Sequence, residues 1–269
     1  MNIKLICAKV NKITGEQFPT KKEIASFADR LLNDYCRKFG RTLETIIYDE
    51  FVSKYIGVDI QYQRLSLNKS ILGVTIQKDG ILETYNEDGT LKLINVHRGD
   101  IFVDPDACGN NSRELFTIFH ELKHYLLDLD KDFRVDKIID DETIINGDFM
   151  TNNKSRYSWA EFFANHFAVC VLLSRRRLKK LYVEKHTSYV TEYHTSLNGH
   201  KIWILKKIIG EIADETGVSK SAISIRLKET GLITELTFNR LGYKYGKEAA
   251  MLFRYNNNGG DEKYKQIII

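Results

Sequence analysis

His120-Glu121-Leu122-Lys123-His124 is the stretch that decides how this chain is read. Residues four apart lie on one face of a helix, one turn above each other. His120 and His124 can therefore present imidazole nitrogens to one ion, and zinc takes such nitrogens at roughly 2.0–2.1 Å in a tetrahedral shell. Glu121 is offset by about 100° around the helix axis. That is too far round for a third ligand but close enough to reach a water at the ion. Two ligands beside a general base is the arrangement of a zinc hydrolase. The plainer alternative is two histidines on an ordinary helix. Context speaks against it. Asn111-Ser-Arg-Glu114 reads as a capped helix start. Leu115, Phe119, Leu122, Leu126 and Leu129 then form an amphipathic stripe beside the histidine pair.

A catalytic zinc site commonly has three protein ligands and one open position. The best candidate for the third is Glu161, in Trp159-Ala-Glu-Phe-Phe-Ala-Asn-His-Phe-Ala168, a segment of helical spacing. Asn165 shares a face with Glu161 and could orient a ligand histidine by a hydrogen bond. Ser158 to Glu161 also fits a capping box, which would make Glu161 only a helix-start residue. A helix starting earlier, at Ser155, favours the ligand role.

Around this centre the chain reads as α+β. Thr20 to Gly40 carries a helical stripe of Ile24, Phe27, Leu31 and Tyr35, and a second helix is expected over 45–55, ending at Gly57. Strands are expected at 58–65, 71–76, 91–96 and 99–103, in a small, mostly antiparallel sheet. Lys78-Asp-Gly80 and Asn86-Glu-Asp-Gly89 read as hairpin turns. Ile101-Phe-Val103 is the expected edge strand, where an extended substrate could add. Residues 128–155 form an acidic excursion between the two ligand helices, either a lid or a tolerated insertion. Arg175-Arg-Arg-Leu-Lys-Lys180 is expected to be a solvated helix end whose cations suit the dipole, favoured over a docking patch for an acidic partner. Among His186, His194, His200, Tyr189 and Tyr193, spacing selects no oxyanion donor.

Residues 201–233 match a helix-turn-helix pattern through Ala213, Gly217 and Ile223. Lys220, Ser221, Ser224 and Lys228 are expected on the exposed face of its second helix, with packing or protein contact favoured over DNA. The expected division is an N-terminal helical scaffold over 1–57, a metal-site core over 58–180, a helical region over 181–255, and a linker and tail over 256–269.

Composition sets limits. A 43% apolar content with two prolines marks a folded globular chain. A net charge of +4 is too weak to argue for nucleic acid by itself. Cys7, Cys36, Cys108 and Cys170 form no C-x-x-C pair, as expected of reduced thiols. No run reaches the length of a membrane span, and the N-terminal apolar run is too short for a signal peptide. A cytoplasmic location is expected.

Three blocks, in order, resemble the ImmA/IrrE metallopeptidases. They are Arg113-Glu-Leu-Phe-Thr-Ile-Phe-His-Glu-Leu-Lys-His-Tyr-Leu-Leu127, Glu161-Phe-Phe-Ala-Asn-His-Phe-Ala-Val-Cys-Val-Leu-Leu173, and Val218-Ser-Lys-Ser-Ala-Ile-Ser-Ile-Arg-Leu-Lys-Glu-Thr-Gly-Leu232. The resemblance implies a zincin-like fold and a zinc-dependent endopeptidase. His120, His124 and Glu161 would be the ligands and Glu121 the base. The implied substrate is a helix-turn-helix repressor or similar regulator of mobile-element or stress genes, with an activating partner sometimes required. Lys123 and Tyr125 depart from the small and apolar residues often seen there, Phe163 stands where a second acid is common, and Ser174 replaces a proline. A different class of function is a DNA- or protein-binding regulator whose zinc site is structural or silent.

Overall fold

The computed structural model describes residues 4–5, 19–129, 152–193 and 202–243. The expectations for residues 6–18, for most of the acidic excursion, for His194 and His200, and for the tail lie outside the described residues. Helix α1 (Lys21–Phe39) starts at a capping box. The Thr20 hydroxyl accepts from Glu23 N at 3.3 Å, and Glu23 Oε2 accepts from Thr20 N at 2.6 Å. Its stripe of Ile24, Phe27, Leu31 and Tyr35 is buried. Helix α2 (Tyr48–Glu50) runs into a π-helical stretch, Phe51–Ile56, that stops at Gly57.

Five short strands follow: β1 (Ile60–Tyr62), β2 (Gly73–Thr75), β3 (Gly80–Tyr85), β4 (Leu91–Val96) and β5 (Ile101–Val103). They form a mixed three-stranded sheet in the order β1-β5-β2 and a separate β3-β4 hairpin. β5 runs parallel to β1 and antiparallel to β2. Two expectations change. Ile101-Phe102-Val103 is the central strand, not the edge, and all three residues are buried. Ile101 and Val103 face the main core, while Phe102 faces a second cluster of Leu65, Ile76, Leu82 and Val96. A strand covered on both faces reads as an unbroken apolar run. The Lys78-Asp79-Gly80 segment, expected to close a hairpin, instead links the two sheets. The Asn86–Gly89 turn does close one, with Asn86 N donating to Thr90 O at 2.9 Å.

Helix α3 (Pro105–Cys108) leads into α4 (Asn111–Leu127). The cap of α4 is Asn110, one residue before the expected Asn111, and its Oδ1 accepts from Arg113 N at 2.8 Å. Phe119 and Leu122 of the expected stripe are fully buried. Leu115 and Leu126 are half-buried at its margin. α4 packs against α5 (Asn152–Leu172), and α5 against α1.

Helices α6 (Arg175–Glu192), α7 (Ile202–Thr216), α8 (Lys220–Glu229) and α9 (Glu235–Leu241) complete the described chain. The basic run begins α6 at its N-terminus, where cations oppose the dipole, contrary to expectation. The compensation comes from the preceding helix. Arg177 Nη1 donates to Leu172 O, the last carbonyl of α5, at 2.8 Å. Arg226 Nε reaches Leu173 O at 3.3 Å. α8 also differs from expectation, because Ser224 is fully buried and Lys228 pairs with Glu235. The face drawn from Lys220, Ser221, Ser224 and Lys228 is thus partly a packing face. No helix among the described residues is long and apolar enough to cross a membrane.

The turn Gly217-Val218-Ser219 joins α7 to α8, with Gly217 at φ 67°. A Cβ on Gly217 would fall 1.8 Å from Ser112 Cβ and 2.7 Å from Ser112 Cα, at the start of α4. Both the conformation and the contact exclude a side chain. Gly217→Ala should cost about 2–4 kcal/mol from left-handed strain plus overpacking, read by urea unfolding.

His166 of α5 is buried behind the α4–α5 face, its Nε2 3.1 Å from Lys21 O. Burial presses its imidazole down to about 4, although Glu229 pulls it upward. The unfolded chain, with an ordinary histidine value near 6.5, binds the extra proton first. This contribution to stability is full above about pH 6.5 and is lost as pH falls toward about 4, by up to about 3 kcal/mol. Urea midpoints across that window should fall more steeply in the natural chain than in His166→Gln.

Candidate metal centre

The amphipathic stripe turns one side of α4 into the core and leaves His120 and His124 at the edge of the α4–α5 contact. From α5, Glu161 meets them. Its Oε2 lies 2.9 Å from His120 Nε2 and its Oε1 3.2 Å from His124 Nε2. The two Nε2 atoms are 3.3 Å apart. Across the group, the three ligand atoms lie within 4.8 Å of one another. The helix start removes the capping role weighed for Glu161. α5 begins at Asn152, so Glu161 stands well inside the helix, away from the unpaired amides of the first turn.

The spacing suits a small cation. Two donors each about 2.05 Å from a common ion at the tetrahedral angle stand about 3.3 Å apart. The two imidazole nitrogens stand 3.3 Å apart, and Glu161 reaches one of them with each carboxylate oxygen, at 2.9 and 3.2 Å. The donor set of two imidazoles and a carboxylate suits a borderline divalent metal. Side-chain exposures of 16% for His120, 12% for His124 and 26% for Glu161 leave the group reachable from solvent.

Each imidazole is held from behind. His120 Nδ1 is 2.9 Å from Asn165 Oδ1. With a proton on Nδ1, the ring donates to the Asn165 amide oxygen and Nε2 is kept turned toward Glu161. Asn165 is where the sequence pattern places it. His124 Nδ1 donates in the same way to Asp128 Oδ2 at 2.8 Å. Asp128 was missed as a site residue, although its place one turn beyond His124 was a legible signal. Its carboxylate is 1% exposed and also pairs with Lys123 Nζ. Lys123 donates in turn to Ala160 O at 2.9 Å.

The electrostatics follow the packing. Burial alone would lower His124, but Asp128 and Glu161 beside it push the imidazole up to about 9. Burial would raise Glu161, but the two imidazoles hold it well below the usual carboxylate range.

Glu121 occupies a different side of α4. It is buried, and its Oε2 accepts from Thr75 Oγ1 at 2.8 Å. The same hydroxyl oxygen lies 2.9 Å from Glu121 O, a second acceptor for its one proton. A Cβ on Gly73 would lie 2.9 Å from Glu121 Cγ and 2.7 Å from Thr117 Cγ2. Only a glycine lets β2 approach this closely. Thr75 and Gly73 escaped the sequence reading because nothing in a three-residue strand marks which helix it will touch. Tyr189 and Tyr193, weighed earlier as oxyanion donors, serve the α6–α7 contact. Tyr189 donates to Glu211, and Tyr193 meets the edge of Trp203 with centroids 4.9 Å apart.

No curated protein matches the chain. A family model described as the IrrE N-terminal-like domain, Peptidase_M78, matches residues 72–228. The matched span opens just before β2, takes in both helices that meet at the three-residue cluster, and closes in α8. It covers more than half of the sequence, and the chain therefore belongs to the Peptidase_M78 family of metallopeptidases.

Proposed function

We propose that the protein is a zinc-dependent endopeptidase of zincin-like design, acting on a regulatory protein such as a helix-turn-helix repressor. The observation that carries the chemistry is the convergence of His120, His124 and Glu161, whose ligand atoms lie within 4.8 Å of one another. The choice of substrate rests on the family resemblance. His120, His124 and Glu161 would hold the ion, with Asn165 and Asp128 fixing the rings. Zinc, when bound there, lowers the pKa of water toward 7 and polarises a scissile carbonyl.

The chain's own residues then divide the work. Glu121 takes the proton from the attacking water as the new C–O bond forms, and delivers it to the amine nitrogen as the C–N bond breaks. Thr75 keeps that carboxylate in one orientation. β2 is an outer strand of the three-stranded sheet, and its Thr75 touches Glu121 directly. An extended substrate segment adding along β2 would lie beside the base, a mode that joins backbone pairing to side-chain choice. The edge role expected for Ile101–Val103 thus passes to β2.

Co-expression with a tagged helix-turn-helix repressor tests the activity, with cleavage read on a gel. Glu121→Gln should keep its zinc while cleavage falls by roughly 10²–10⁴-fold, the usual worth of a general base. Undiminished proteolysis by that variant would remove Glu121 from the mechanism. Glu161→Ala should lower zinc content sharply, measured by metal analysis of the purified protein beside a His120→Ala control. A Glu161→Ala protein with full zinc would show that the cluster is not the metal site.

A further inference from the structure

Lys123 is the least expected residue of the metal helix. An ammonium sits between the base and the second imidazole in the sequence, yet its side chain is only 3% exposed. Its Nζ donates to two groups that matter for the site's geometry. One is Asp128 Oδ2, the same oxygen that receives His124 Nδ1–H at 2.8 Å. The other is Ala160 O at 2.9 Å, on α5. Ala160 directly precedes Glu161. A single cation is therefore bonded to the carboxylate that orients one candidate ligand and to the backbone that carries another.

A buried ion pair gives poor support to a fold. Removing two charges from water costs nearly what their attraction returns, and well-packed apolar replacements are often neutral or stabilising. Asp128 is 1% exposed, so the cost of dehydration falls on both partners. The placement gives the pair a different use. α4 and α5 each contribute part of the ligand cluster, and their relative slide sets the gap between His124 Nε2 and Glu161 Oε1, 3.2 Å here. A donor fixed to α4 and bonded to an α5 carbonyl resists that slide. The same donor stops Asp128 from swinging away from His124.

We infer that Lys123 is a positioning residue: with Asp128 it forms a brace between α4 and α5 that holds His124 and Glu161 at metal-binding separation. This role rests on the metal-site reading above. Lys123 touches neither substrate nor ion and acts through Asp128 and Ala160.

The test uses the full-length protein stripped of metal. Zinc affinity is measured by competition with a chromophoric chelator, and cobalt(II) is bound in parallel for its visible absorption bands, which report ligand geometry. Lys123→Met keeps the length of the side chain and removes the donors. Weaker zinc binding, by roughly 10–100-fold as for other residues that orient metal ligands, together with shifted cobalt bands is the expected result. A merely structural lysine would change the unfolding midpoint of the metal-free protein and leave the cobalt bands in place. Unchanged zinc affinity, or unchanged bands, overturns the brace and leaves the metal site standing. Absence of zinc binding by the natural chain overturns the metal site itself, and the brace with it. If Lys123→Met does not fold, Lys123→Arg is judged by the same readouts, since its longer planar group keeps the charge but displaces the donors.

Discussion

Two imidazoles on successive turns of one helix can face an ion from one side only. A second element must close the site, and the α4–α5 contact does so here. Several other features of the described structure bear on that contact. The buried stripe of α4 sets its rotation, and α1 backs α5 from the far side. Arg177 and Arg226 occupy carbonyls at the C-terminal end of α5. Behind the two histidines, Asn165 and Asp128 hold one ring each. Such partners select the tautomer and limit ring rotation, which narrows the set of geometries a metal would encounter.

The acid beside the first histidine is handled differently. Glu121 faces the sheet and takes its orientation from Thr75, a strand residue. One helix therefore serves two neighbours. Its histidine face looks toward α5 and its glutamate face toward β2, about 100° apart by helical geometry. In the proposed mechanism that divergence would let Glu161 serve as ligand and Glu121 as base. The close approach permitted by Gly73 makes the second of these contacts possible.

Much of this was legible in the sequence, and the failures have physical causes. Helical periodicity located α1 and α4, because a buried stripe imposes a repeat on the chain. The four-residue spacing of His120 and His124 needed only one helix to be meaningful. Glu161 needed a second helix, and its role turned on where that helix begins, which lies among residues of weak pattern. The placement of β5 was misjudged because strand order depends on distant partners, although three consecutive large apolar residues favour a covered strand. The basic run was assigned to the wrong end of a helix, since the compensating carbonyl belongs to α5 and adjoins it only in space. Lys123 was noted as a departure from a family pattern, but its partnership with Ala160 O crosses from one helix to another, and sequence spacing gives no hint of it.

α1 lies wholly upstream of the matched span 72–228, yet Phe27 meets Phe167 of α5 with ring centroids 6.0 Å apart. Tyr48 and Phe51, also upstream, put their rings against Phe119 of α4. A fragment begun at Leu72 would uncover apolar surface on both helices of the cluster at once. Such a fragment would retain every residue of the motif and lose the wall that keeps its two halves in register. The packing behind the two helices therefore reaches beyond the segment by which the protein's kinship is recognised.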